Sequence, residues 1–471
     1  MFFPILAMIV VALLVSVLIS CASLATRVGW VCAMLAPAWL SRGVGALSID
    51  LRFMTLGLLA VICIGSGRWI KGWNWVDLFV GVLTVVAMIS LQRSQLFGPS
   101  ECLVILSTWV VPYVMGRLVI TKLSDLDQLL PYACAVCLVL STWSVVESTT
   151  KVNPLNVIAG RGGSRIAGEN YRMNLRRAEG PLGHPIYFGM TIAMLFPWSI
   201  EGARQAWNNQ LPRLFIVTPI LCAAGVFCTL SRGPILVLAV SIGSALFFWK
   251  PAWRLPLGIL AFAALALMVA AWPIVVDQLE SLSGEEQGHT VTINGDEYEY
   301  SGTKHRTLLY IVYASAMQDA GWLGHGKWGA KTDHLLYVEP ELRRTFRSID
   351  NHYVLLILNW GIAGLIAFLA LGLFAIGSSS QLAFVGAPAY RVLIGSMSGT
   401  IAAVMLLLLT VWFSNGFGFS WLCYIGMLSS SVSAANKTKH SPRMATHRIA
   451  SAPPRRKIRA NAEPFHQAGH V

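Results

Sequence analysis

Uninterrupted apolar stretches of about 18 residues or more recur along this sequence, and each is long enough for an α-helix to cross a hydrocarbon core of ~30 Å. FFPILAMIVVALLVSVLIS near the start is one of them. In lipid a chain must satisfy its own backbone hydrogen bonds, which leaves helices or a closed β-barrel. The runs are continuously apolar and do not alternate every second residue, so the barrel is excluded. Composition agrees: 55% of residues are hydrophobic and 12% charged, against about a quarter charged in soluble domains. The expected fold is an all-α polytopic membrane protein.

Spans are predicted at roughly 2–21, 52–67, 74–91, 101–118, 127–147, 182–200, 212–230, 233–249, 254–275, 353–376, 390–413 and 415–433. VGWVCAMLAPAWLS (28–41) is short and contains Pro37, so it is predicted to be interfacial or re-entrant. About twelve crossings result, with thirteen as the alternative. The first run lacks a basic flank and a small-residue cleavage site, and reads as a retained span. Lys and Arg in 67–73, 116–122, 201–213, 250–254 and the C-terminal tail assign those segments to the cytoplasm. An even number of spans then puts both termini inside.

Six regions follow: N-terminal helices (1–147), a basic external loop (148–181), central helices (182–275), a large external loop (276–351), C-terminal helices (352–435) and a basic cytoplasmic tail (436–471) expected to lack fixed structure. The net charge is +13, but the tail holds eight Lys or Arg against Glu463 alone and supplies +7 of it. A basic tail beside a membrane is a topology signal that touches anionic lipid, so nucleic acid is not an expected partner. All nine cysteines fall in apolar segments. No disulfide framework is expected, and Cys134 and Cys137 read as small helix residues.

The two external loops differ in charge. The first carries Lys151, Arg161, Arg165, Arg172, Arg176 and Arg177 against Glu169 and Glu179, on the side where positive charge is disfavoured. The second has twelve acidic and seven basic residues. In it, TVTINGDEYEY (290–300) predicts a hairpin about Asn294-Gly295, and residues 305–321 predict an amphipathic helix. GHGKWG (324–329) formally matches a dinucleotide fingerprint. Without a βαβ unit around it, a turn that needs glycine is the better reading.

Charges in mid-span mark ion pathways, yet Arg117 and Glu147 stand only at span ends. That disfavours ion-coupled transport. Three external positions invite chemistry: Arg232 in TLSRGP (229–234), Arg306 at the start of the amphipathic segment, and His352 where the last large loop ends. Each has a plainer alternative, respectively snorkelling, headgroup contact and helix capping. Together they suit a diphosphate leaving group. Arginine forks hold phosphate oxygens at any working pH, and a neutral imidazole accepts a proton from an attacking hydroxyl. No cluster of metal ligands is evident, and no cofactor is expected. Asp125-Leu126-Asp127 follows Ser124 and reads as an acidic first helix turn.

RAEGPLGHPIYFGMTIAMLFP (177–197) and TLSRGPILVLAV (229–240), followed by a large external loop and then His352 with a Gly-rich span, resemble the O-antigen ligase and polymerase superfamily over roughly residues 100–430. The resemblance implies a GT-C-like membrane glycosyltransferase of the bacterial inner membrane, metal-independent and inverting. Its donor would be an undecaprenyl-diphosphate-linked glycan on the periplasmic face, and its acceptor a saccharide or lipid-linked molecule. By position in the pattern, Arg232 and Arg306 would bind the diphosphate and His352 would activate the acceptor hydroxyl. Arg177 and His184 would shape the same pocket. The sequence departs from the pattern at one point: the family histidine is followed by Asn, whereas here Asn351 precedes His352 and Tyr353 follows it. Ligase and polymerase are not separated by these motifs. A flippase or exporter of lipid-linked glycan is the alternative, and a non-catalytic scaffold a third; an exporter needs a charged central cavity, which these spans lack.

Overall fold

The computed structural model describes residues 22–37, 41–44, 47–50, 70, 72–158, 171, 172, 174–270, 289–293, 295–300, 304–328, 346, 348–386, 388–413 and 415–440. The spans predicted at 2–21 and 52–67, loop residues such as Arg161, Arg165 and His334, and the tail beyond 440 lie outside them, as does the side chain of Arg306.

The described chain is mostly helical. Its elements are α1 (Ala22–Leu35), a hairpin β1–β2 (Ser41–Val44, Leu47–Asp50), α2 (Trp75–Arg93), α3 (Pro99–Val119) and α4 (Ser124–Thr150). Next come α5 (Pro154–Ile158), a small hairpin β3–β4 (Tyr171–Arg172, Leu175–Arg176), α6 (Pro185–Trp207), α7 (Thr218–Cys228), α8 (Arg232–Trp249) and α9 (Arg254–Ala270). The rest are β5–β6 (His289–Ile293, Asp296–Tyr300), α10 (His305–Val312), α11 (Ala314–Ala320), α12 (His352–Gln381), α13 (Arg391–Leu407) and α14 (Asn415–His440). Among the described residues six helices are long and apolar enough to cross a membrane: α2, α3, α4, α8, α12 and α13. This is the architecture of a polytopic membrane protein. α6 and α14 are as long but fall outside that six.

Two expectations are corrected. The stretch 28–41 is not one interfacial segment: residues up to Leu35 complete α1, and Ser41 begins a strand. The amphipathic helix expected over 305–321 is two helices, because Tyr313 between them leaves helical geometry at φ −100° and ψ 7°.

Local chemistry sets the helix ends. Asn74 and Asp77 form a capping box on α2; Pro185 occupies the first turn of α6; Asn351 caps α12 by accepting from the Tyr353 and Val354 amides. α3 and α14 cross closely because Gly116 and Gly426 face backbone of the other helix: a Cβ on Gly116 would lie 1.9 Å from the Cys423 carbonyl oxygen. At one end of this pair Arg117 is buried, 3.4 Å from Asp77 and donating to Ser429, so the arginine expected at a span end is internally neutralised.

α12 is not continuous. Gly361 adopts φ 67° and ψ −166°, and residues 321–326 lie against the break. The Ile362 and Ala363 amides donate to the carbonyls of Gly321 and Trp322, and the His325 and Gly326 amides donate to those of Leu358 and Asn359. A Cβ at Gly361 would fall 2.3 Å from the Trp322 carbonyl carbon, and one at Gly324 2.4 Å from that of Asn359. Gly324 of GHGKWG therefore serves close backbone approach. The same region carries a second small core, in which Leu309, Ala316 and Phe346 pack with Ile293 of the β5–β6 hairpin and with Leu358 of α12.

Candidate functional site: a charged cluster at one end of the helices

The end of α4, the starts of α6, α8 and α12, and the turn after α13 meet at one end of the molecule, as their hydrogen bonds record. The Ala178 amide donates to the Cys228 carbonyl, Tyr187 Oη donates to the Trp412 carbonyl at 2.9 Å, and the His352 amide donates to the Leu408 and Val411 carbonyls. RRAEGPLGH runs across this end, held from beneath by a buried polar set. Glu147, with 0% exposure, accepts from the Gly180 amide at 2.9 Å and lies 3.7 Å from Arg176 Nε. Arg176 also donates to the Lys151 carbonyl, and Asn153 Nδ2 to that of Gly180. Gly180 and Gly183 both sit at positive φ, which lets the chain turn sharply ahead of Pro185.

The predicted site residues are not all brought together. Arg177 donates through Nη2 to Ser231 Oγ at 3.0 Å, which draws it to the turn that carries Arg232. Its Nε is buried with no hydrogen-bond partner among the described residues. Burial and then the like charge of Arg172 push this guanidinium down to about 10, against the pull of Glu179, so it stays a cation at neutral pH. Arg232 is exposed at the first residue of α8. His184 precedes α6, its ring 4.6 Å from that of Tyr187, and the charges of both Arg177 and Asp350 act on its imidazole. Arg306 lies in the first turn of α10, a helix tied to this end by Asn351 Nδ2 donating to Tyr310 Oη at 2.6 Å.

His352 is packed among aromatic rings. Its ring is 4% exposed, enclosed by Phe368 and Phe413, each 5.0 Å away, and by Trp109 at 6.3 Å. Neither ring nitrogen has a hydrogen-bond partner among the described residues. The imidazole packs as an aromatic ring and turns no nitrogen outward.

The residues that sequence reasoning missed are Ser231, Tyr187, Glu147 as a support, and Asp350. Asp350 is half-buried, accepts from Ser348 Oγ at 2.8 Å, and acts on the Tyr187 hydroxyl as well as on His184.

The fold and this cluster define a multi-pass α-helical membrane protein with cationic and acidic groups gathered at one end. Residues 217–369 match the family model described as O-antigen ligase (Wzy_C), so that segment is similar to the O-antigen ligase family. The matched segment contains Arg232, Arg306, Asp350 and His352; Arg177 and His184 lie before it. No curated protein matches the sequence.

Proposed function

We propose that the protein is an inner-membrane glycosyltransferase of the ligase or polymerase type. In this reading it moves a glycan from undecaprenyl diphosphate to a saccharide or lipid-linked acceptor at the periplasmic face, with both termini in the cytoplasm. The observation that carries the reading is Arg177, a cation whose buried Nε has no partner among the described residues, bonded to the turn that presents Arg232. A diphosphate oxygen would satisfy that donor, since unmade hydrogen bonds of buried groups are costly and guanidinium suits phosphate.

In the proposed mechanism Arg177 and Arg232, with Arg306 from α10, hold the diphosphate and offset the negative charge that grows on it as the glycosidic bond breaks. The acceptor hydroxyl attacks the anomeric carbon from the opposite face and inverts its configuration. The reaction needs no metal, because the arginines supply the positive charge. His184, its ring tilted against that of Tyr187, shapes the acceptor side. By the family resemblance His352 takes the proton of the acceptor hydroxyl; its ring lies among Phe368 and Phe413, with both nitrogens unpartnered among the described residues.

The purified protein, given an undecaprenyl-diphosphate oligosaccharide and a panel of acceptors in chelator, tests the reading. Lipid diphosphate release with chain growth identifies a polymerase, and transfer to a core lipid identifies a ligase. Donor translocation across vesicles without cleavage would instead establish the exporter alternative.

A further inference from the structure

We propose that Arg172 is a further donor-binding residue, holding the second phosphate of the lipid diphosphate so that the site selects diphosphate carriers over monophosphate ones. This role rests on the glycosyltransferase reading above. It falls to a residue outside both sequence motifs, 177–197 and 229–240, and outside the matched segment 217–369.

The β3–β4 hairpin brings Arg172 to the site. Arg172 pairs with Leu175 and Tyr171 with Arg176, while Asn174 takes a φ of 62° in the turn between them. Asparagine tolerates that left-handed conformation. The chain doubles back, and Arg172 returns toward Arg177. Beyond the hairpin it runs along the turn that leads into α8. There the Ala178 amide donates to the Cys228 carbonyl at 3.1 Å, Arg177 Nη2 to Ser231 Oγ at 3.0 Å, and Arg172 Nη1 to the Leu230 carbonyl at 3.3 Å. Arg232 is the next residue of that turn. Leu230, Ser231 and Arg232 therefore bind, bind and carry three guanidinium groups in succession.

Charge gives this arrangement its meaning. Like charges so placed repel, and the field of Arg172 acts with burial in lowering the Arg177 guanidinium. The neighbouring cations are disposed otherwise. Arg176 faces Glu147 and donates to the Lys151 carbonyl, and Lys151 Nζ lies over the Tyr171 ring at 5.8 Å. Arg172 is exposed, and beyond its bond to Leu230 its donors have no partner among the described residues. An anion held by Arg172 and Arg177 together offsets their repulsion and accepts those donors. One fork serves one phosphate. Two forks tethered at adjacent residues, with Cα atoms ~3.8 Å apart, suit two phosphates that share a bridging oxygen. A pin on the Leu230 turn, or a contact for any headgroup phosphate, would show no preference for the diphosphate.

The experiment titrates undecaprenyl diphosphate, undecaprenyl phosphate and undecaprenol into the purified protein in phosphatidylcholine nanodiscs, which hold no anionic headgroups to compete. The wild type is compared with Arg172→Gln and Arg172→Glu. Arg172→Gln is expected to weaken diphosphate binding about tenfold, the loss of one charge-assisted contact, and monophosphate binding far less. Arg172→Glu is expected to weaken diphosphate binding roughly a hundredfold, because like charges then face each other. Undecaprenol binding stays at the wild-type value in both variants. A diphosphate loss in Arg172→Gln no larger than the monophosphate loss would overturn the assignment. So would an equal loss with undecaprenol, which would reduce the arginine to a support for the turn, or an Arg172→Glu variant that binds as well as Arg172→Gln. A wild type that binds undecaprenyl diphosphate no more tightly than undecaprenol would refute the glycosyltransferase reading itself, and the role of Arg172 with it.

Discussion

Replacing Gly361 by alanine sets two physical arguments against each other. An uninterrupted apolar helix over 353–376 predicts that alanine stabilises the protein by up to about 1 kcal/mol, since glycine is the poorer helix former. The structure predicts the opposite. At φ 67° and ψ −166° the position is open essentially to glycine alone, and a side chain there is strained by roughly 1–3 kcal/mol. The new Cβ would also stand 2.3 Å from the Trp322 carbonyl carbon, so residues 321–326 must move away. Four backbone hydrogen bonds cross this seam, and losing them adds roughly 0.5–1.5 kcal/mol each. A destabilisation of roughly 3–9 kcal/mol follows if all four are lost. Reversible unfolding in mixed micelles measures it, and hydrogen exchange at the Ile362, Ala363, His325 and Gly326 amides locates it. Gly377→Ala is the control, because a Cβ there meets nothing within 4 Å. If Gly361→Ala matched the control, with those amides as protected as before, the broken-helix account would be refuted.

Three other outcomes are expected. Arg177→Gln lowers affinity for undecaprenyl diphosphate about tenfold or more, the loss of a charge-assisted hydrogen bond of ~1.5–3 kcal/mol, and Arg177→Lys does not restore it because the fork is gone; titration with a fluorescent lipid diphosphate reads both. Glu147→Gln destabilises by about 3 kcal/mol, since it leaves the 6%-exposed Arg176 without its counter-charge, and Glu147→Gln with Arg176→Met recovers most of the loss in the same unfolding assay. Asn351→Ala removes both the α12 cap and the bond to Tyr310, lowers stability by ~1–2 kcal/mol, and speeds proteolysis within 305–320.

The helices were legible where length and apolarity act alone: the runs read at 74–91, 127–147 and 233–249 are Trp75–Arg93, Ser124–Thr150 and Arg232–Trp249. The break at Gly361 was hidden because glycine is common in membrane helices, and the segment that completes the broken turn, residues 321–326, lies some way back in the chain. α1 was misread because its start lies inside a continuous apolar stretch and only Pro37 punctuates it. At the site, Arg177 and His184 could be found as charge gathered where the topology disfavours it. Ser231 could not: one more serine in a turn carries no signal, and its bond from Arg177 Nη2 joins segments 54 residues apart. His352 was the reverse case. Its neighbours Trp109, Phe368 and Phe413 come from three distant places, so a linear reading sees an imidazole at a helix start and not the rings around it.

Photo-crosslinking with an undecaprenyl diphosphate analogue, its diazirine placed next to the diphosphate, tests most directly where the anionic group is held. Adducts are expected in residues 171–184 and 229–232, competed by the natural lipid diphosphate and lost in Arg177→Gln with Arg232→Gln. Adducts around Arg117 at the opposite end, or labelling no different from that of a diazirine lipid without phosphate, would contradict the account.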